Sequence, residues 1–174
     1  MSTATRETPE QFLQVIDVNL NGAYWCAQAF GRLAKDGGAI VNIASVLGLH
    51  PGLLPQAAYA SSKAGLIGMT RDLAAQWTGR KGIRVNALAP GYFPTEMTDV
   101  LDPRELEHVK ATAPARRVGE PMELAAAAVF LASDECFMTG EVLQVNGGLT
   151  LRRNPTKEEI GASVARAMQA QAAA

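Results

Sequence analysis

Tyr59 and Lys63 stand four residues apart in the segment YASSKAG. On a helix, side chains at i and i+4 share a face, so a phenol and an ammonium placed there can converge. An ammonium beside a phenol favours the phenolate, and the pair then makes a general acid and base suited to an alcohol or ketone oxygen. The same spacing also arises by chance on any long helix. Ser45 closes the apolar run AIVNIAS, and open α/β sheets bind ligands at the carboxyl ends of their strands. Its hydroxyl can bond the same substrate oxygen as Tyr59, or it can simply end a strand. Asn19 interrupts an apolar helical stripe between Ile16 and Ala23. A buried amide needs partners, so Asn19 is either a satisfied core group or a polar post holding a water near Lys63. Pro90-Gly91-Tyr92-Phe93-Pro94-Thr95 directly follows a second apolar run. Its backbone groups and the Thr95 hydroxyl can meet a planar amide or a phosphate, or form a plain strand-end turn.

Positioning these groups requires helices and strands in alternation. Thr8, Pro9 and Gln11 form a capping box with a proline start, and apolar residues from Phe12 to Phe30 recur at helical spacing up to Lys35-Asp36-Gly37-Gly38. A buried strand is predicted over 39–45 and a loop over 46–56. A helix follows over 58–78, with Leu66, Met69, Leu73 and Trp77 on its stripe. A second strand spans 83–89. Residues 92–118 are irregular, with one or two short helices. Pro121 opens a helix over 122–132, and a third strand covers 142–146. Thr156 and Glu159 form a further capping-box pattern ahead of Ile160, Val164 and Met168, which predicts a helical tail over 151–174. Strands separated by helices imply parallel pairing in an α/β layered fold. Three strands amount to one half of a doubly wound sheet.

Composition narrows the function. Of 174 residues, 48% are hydrophobic and 19% charged, enough to bury a core. Sixteen Lys and Arg against seventeen Asp and Glu give a net charge of −1, so no basic excess points to nucleic acid. There is no apolar run of the roughly 18 residues a membrane span needs, and no apolar leader at the N-terminus. Cys26 and Cys136 are too few for a disulfide framework and suit a reducing cytoplasm. His50 and His108 lie far apart in sequence, and with no CxxC or HExxH no metal site is expected.

Taken together, IVNIASVLG, YASSKAG, RVNALAPGYFPTEM, GEPMELAAAAVFLASD and TGEVLQVNGG resemble the C-terminal half of a short-chain dehydrogenase/reductase, in that family's order and over roughly 9–150. Within it the likeness is to bacterial 3-oxoacyl reductases and gluconate 5-dehydrogenase-like members. With the order of the elements, the resemblance implies a partial Rossmann-type doubly wound parallel sheet over 1–150, with 83–89 as its middle strand. It implies NAD or NADP as cofactor and a small-molecule carbonyl or alcohol as substrate. It makes Tyr59 the acid/base, Lys63 its helper and a ribose contact, Ser45 the substrate-orienting serine and Asn19 the support of a proton-relay water. It assigns Pro90, Gly91, Phe93 and Thr95 to the nicotinamide end. It also implies a homo-oligomer formed through the helices carrying Asn19 and Tyr59. Substrate choice would lie in the loop after Ser45, with Leu53 and Leu54, and in the stretch after Thr95, with Met97.

The sequence departs from the family's pattern in three places. It contains no TGxxxGxG turn for the pyrophosphate and no NNAG segment, and Asn146 stands where the closing DGG has its Asp. The expectation is therefore a C-terminal piece that turns over no NAD(H) or NADP(H) unaided, with a free strand edge along 39–45 that invites association. The competing reading is a non-catalytic remnant that serves as an oligomerisation or interaction module.

Overall fold

Each of the three apolar runs forms a strand in the computed structural model, which describes residues 3–52, 54–94, 103–151, 158 and 161–162. The strands are β1 (Gly38–Ile43), β2 (Ile83–Pro90) and β3 (Val142–Val145). They pair in parallel in the order β1-β2-β3, with Gly38 opposite Ile83 and Ala87 opposite Val142. The expected middle strand is thus the observed one. Its burial explains its composition, since Val85, Ala87, Leu88 and Ala89 have no exposed surface. A strand covered on both faces reads as a continuous apolar run.

The N-terminal helix is not the single regular helix its periodicity predicts. It runs as α1 (Pro9–Ile16), a π-helical turn over Asp17–Asn21, and α2 (Gly22–Leu33). The Thr8 capping box with Gln11 is present, with Pro9 at the first position. In the π turn the Gly22 amide donates to the Asp17 carbonyl, and the Asn21 amide donates to the Asp17 carboxylate at 2.7 Å. One extra residue leaves an apolar stripe nearly intact, which is why the sequence pattern does not reveal it.

The long helix α3 (Ala57–Lys81) covers one face of the sheet. Leu73 and Ala74 pack with Ile83, Val85 and Ala27, while Leu66 and Ile67 pack with Ala44 and Ala87. α4 (Pro103–Thr112) lies in the stretch read as irregular, and α5 (Pro121–Ala132) covers the other face, with Leu131 and Cys136 against Leu88.

Two buried asparagines tie strands to their covering segments. The Asn42 amide donates to Thr70 Oγ1 at 2.8 Å, and Thr70 Oγ1 donates to the Leu66 carbonyl. The Asn86 amide donates to the Met138 carbonyl at 2.8 Å, and its Oδ1 accepts from the Glu141 amide. Buried polar groups are tolerated when paired in this way. From β2, Arg84 donates to the carbonyls of Leu131 and Ser133 at 2.9 and 2.7 Å. It supplies a positive charge and donors to the free carbonyls at the end of α5. Among the described residues no helix is long and apolar enough to cross a membrane.

Candidate active site

β1 ends two residues before the predicted boundary, and that short ending places Ser45. The Ala44 amide still bonds the Leu88 carbonyl at 2.8 Å, and Ser45 then caps a 3₁₀ turn over Val46–Gly48. Ser45 Oγ accepts from the Leu47 amide at 3.1 Å. A hydroxyl that accepts there keeps its own proton to donate elsewhere. The turn is held close against α3. A methyl group added at Gly48 would lie 2.7 Å from the Lys63 carbonyl carbon and 2.9 Å from the Ala64 nitrogen. Only a residue without Cβ allows this approach.

On α3, Tyr59 and Lys63 share one face. The Lys63 ammonium lies 5.5 Å from the centre of the Tyr59 ring and donates to the Ile43 carbonyl at 2.8 Å. That carbonyl is the last of β1, so the ammonium stands at the carboxyl end of the strand, two residues from Ser45. Partial burial pushes the Lys63 ammonium below the usual lysine range, because desolvation disfavours the charged form.

Asn19 lies in the π turn and reaches the same helix. Its Nδ2 donates to Ser62 Oγ at 3.2 Å, and Ser62 Oγ donates to the Tyr59 carbonyl at 2.7 Å. Fully buried Ser62 was not singled out in the sequence; the available signal is its place beside Lys63 and one turn after Tyr59. Asn19 and Lys63 also line a common groove of about 520 Å³ with Val18, Phe30, Ile40 and Ile43, open along the edge of β1.

The segment after β2 is anchored where it leaves the strand. The Gly91 amide donates to the Val145 carbonyl and the Gly119 amide to the Tyr92 carbonyl, each at 2.9 Å. Pro90 and Gly91 are half-buried at the strand end, while the Phe93 ring is turned inward against Gly119 and is 7% exposed. Thr95, Leu53 and Met97 lie outside the described residues. Asn146 caps the turn after β3. Its Oδ1 accepts from the Gly148 amide at 2.8 Å, and its Nδ2 donates to Gln144 Oε1 and Thr150 Oγ1, both at 3.1 Å. An aspartate could make the first bond but not the other two.

The profile of the family described as enoyl-(acyl carrier protein) reductase matches residues 2–150. Galactitol 2-dehydrogenase (L-tagatose-forming) of Cereibacter sphaeroides is 48% identical over 147 residues, covering 79% of this chain and 56% of that protein. The 3-oxoacyl-[acyl-carrier-protein] reductase of Vibrio cholerae is 40% identical, covering 83% of this chain and 59% of that protein. The crystal structure of a gluconate 5-dehydrogenase from Burkholderia cenocepacia, in complex with NADP and tartrate, superimposes with a TM-score of 0.79 at 37% identity. It covers 86% of this chain and 60% of that one. The chain belongs to the short-chain dehydrogenase/reductase family of NAD(P)-dependent oxidoreductases, and it spans less than two thirds of the length of these relatives.

Proposed function

We propose that this chain carries the proton-transfer site of an oxidoreductase that interconverts a carbonyl and an alcohol on a small molecule. The observation that carries the reading is the Lys63 ammonium, held by the Ile43 carbonyl at the end of β1 and against the Tyr59 ring on the same face of α3. Tyr59 gives its proton to the carbonyl oxygen in reduction and takes it back in oxidation. Ser45 donates to the same oxygen from its capped turn. Lys63 stabilises the phenolate form and presents N–H donors to a ribose hydroxyl. Asn19, tied through Ser62 to the backbone of Tyr59, holds the helix face and supports a relay water beside Lys63.

These residues fit the nicotinamide end of NAD or NADP. A cationic donor stands at a strand's carboxyl end, and an anchored backbone turn follows the neighbouring strand. Lys63, Pro90, Gly91 and the Phe93 backbone, with Thr95 following, would hold that end. When bound, the nicotinamide supplies or accepts the hydride. The pyrophosphate is held, on this reading, by a glycine-rich segment that this sequence does not contain, paired along the open edge of β1. The exposed Leu13, Val18 and Trp25 on the N-terminal helix support association between copies, and the free Cys26 and Cys136 suit a reducing cytoplasm.

The test compares this chain with the same chain fused to the dinucleotide-binding half of a relative, in a carbonyl-reductase assay. The fusion turns over NAD(P)H and the chain alone does not. Tyr59→Phe lowers turnover of the fusion by about 10²–10⁴-fold, the size of a lost general acid. A Tyr59→Phe fusion as active as wild type would refute the assignment. A fusion that is inactive yet folded would favour the interaction module.

A further inference from the structure

The helix α5 is apolar on every side. Leu124, Ala127, Ala128 and Leu131 turn towards the sheet and pack around Leu88. Met122, Ala125, Ala126, Val129 and Phe130 lie on the opposite side and are exposed, Met122 by 75% and Val129 by 69%. A helix that is apolar all round is ordinarily covered on both sides, and an open apolar face of this kind is a docking surface. Met122 stands at one end of the face and Phe130 at the other, with the small side chains of Ala125 and Ala126 making a shallow trough between them.

The chain itself supplies a segment that fits this face. Residues 152–174 lie beyond the stretch that the family profile matches. Thr156 and Glu159 give the tail a helix start, and Ile160, Val164 and Met168 recur every four residues along one side. Most of the tail lies outside the described residues. Of those described, Glu158 and Ala162 are helical and exposed, and they fall on the side of the helix opposite that apolar stripe. Three further features match. The chain leaves the turn after β3 at Leu151, whose amide bonds the Gly148 carbonyl, and Gly147 and Asn146 of that turn share a small pocket with Gly119 and Glu123 at the start of α5. Five residues lead from Leu151 to Thr156, a reach of up to about 17 Å. Ile160 to Met168 and Met122 to Phe130 each span eight residues, about 12 Å along a helix axis. The charges are also complementary. Arg152, Arg153, Lys157 and Arg166 outnumber Glu158 and Glu159 in the tail, while Glu120, Glu123, Asp134 and Glu135 flank the face of α5 and are exposed.

We propose that the segment 156–168 forms a helix that docks on the outer face of α5, parallel to it, with Ile160 near Met122, Val164 in the alanine trough and Met168 near Phe130. The tail thereby closes an apolar face that otherwise invites association. This inference is independent of the roles given to Ser45 and Tyr59.

The experiment uses the full chain carrying Cys26→Ser, with Ala126→Cys and Val164→Cys added together. A second protein pairs Ala126→Cys with Ala162→Cys. Each is oxidised with diamide as an equal mixture of ¹⁴N- and ¹⁵N-labelled chains, and intact mass separates disulfides within one chain from those between chains. The Val164 pair closes within one chain at least about tenfold faster than the Ala162 pair, because a helix diameter of about 10 Å carries Ala162 out of disulfide reach. In a separate arm with no change on α5, Val164→Asp speeds trypsin cleavage after Arg166 by about tenfold, the size of one lost apolar anchor, while Ala162→Asp leaves it within about twofold. The substituted positions are on the exposed side of α5 or in the tail, so the sheet is untouched, and circular dichroism checks this. Equal closure rates for the two pairs would overturn the proposal. Disulfides that form chiefly between ¹⁴N and ¹⁵N chains would overturn it too and assign the face to a second copy. So would cleavage after Arg166 that Val164→Asp leaves unchanged.

Discussion

Replacing Gly48 by alanine tests whether the Ser45 turn is held against α3 as closely as the structure shows. The added methyl would sit 2.7 Å from the Lys63 carbonyl carbon and 2.9 Å from both the Lys63 oxygen and the Ala64 nitrogen, where ordinary contact begins at 3.4 Å. These are backbone atoms in the middle of a helix and cannot rotate away. The turn must therefore move out by about 0.7 Å, and overpacking of this kind costs about 1–3 kcal/mol. For a chain of this size that lowers the melting temperature by roughly 2–12 °C. The same displacement carries Ser45 away from Tyr59, and a misplacement approaching 1 Å can reduce turnover by about 10²-fold. Gly68 on α3 provides the control, because a methyl there meets nothing within 4 Å. Gly68→Ala should stabilise the helix by about 0.5–1 kcal/mol. Urea and thermal denaturation of both variants measure the two effects, and the active fusion reads turnover. A Gly48→Ala chain that melts at or above wild type would show that the turn does not depend on this approach.

The ammonium of Lys63 is depressed by burial, so the unfolded chain binds more protons between the folded value and the ordinary value near 10.5. Stability conferred at this position therefore rises with pH through that window. Comparing unfolding free energies of wild type and Lys63→Met against pH should show the rise in the first and its absence in the second. Glu123 is held at about 2 by its bonds from Arg117 and from the Glu120 amide, so its contribution is present above the ordinary value of 4.5 and is lost as pH falls towards 2. A carbon-detected titration of Glu123 should give that midpoint, and Arg117→Ala should move it upward. Arg84→Met removes the donors from the Leu131 and Ser133 carbonyls. The expected loss is about 1.5–3 kcal/mol in urea denaturation, with faster amide exchange at the end of α5; unchanged stability would mean that water replaces the guanidinium.

Local pattern was enough for the strands and their parallel direction, and it set Tyr59 and Lys63 on one helix face; the order of the strands and the joint role of the pair came with the resemblance. β-branched runs between glycines and prolines report burial directly, and spacing along one helix is a covalent property of the chain. The boundaries and partners were not local. β1 stops at Ile43 and Ser45 Oγ caps the turn that follows, and where a strand gives way to a capped turn is a competition between hydrogen bonds that composition does not rank. The π turn at Asn19 hides inside an apolar stripe that one added residue barely disturbs. Phe93 belongs to the segment read as a ligand contact, yet its ring is turned inward because Gly119 leaves room for it. Asn19 meets Ser62, Lys63 meets the Ile43 carbonyl, and His50 shares a cavity with His108. Each of these contacts joins separate elements, and its geometry exists only after the helices have packed on the sheet. The residue types capable of chemistry are therefore visible in the linear chain, while their distances and hydrogen-bond partners are products of tertiary packing.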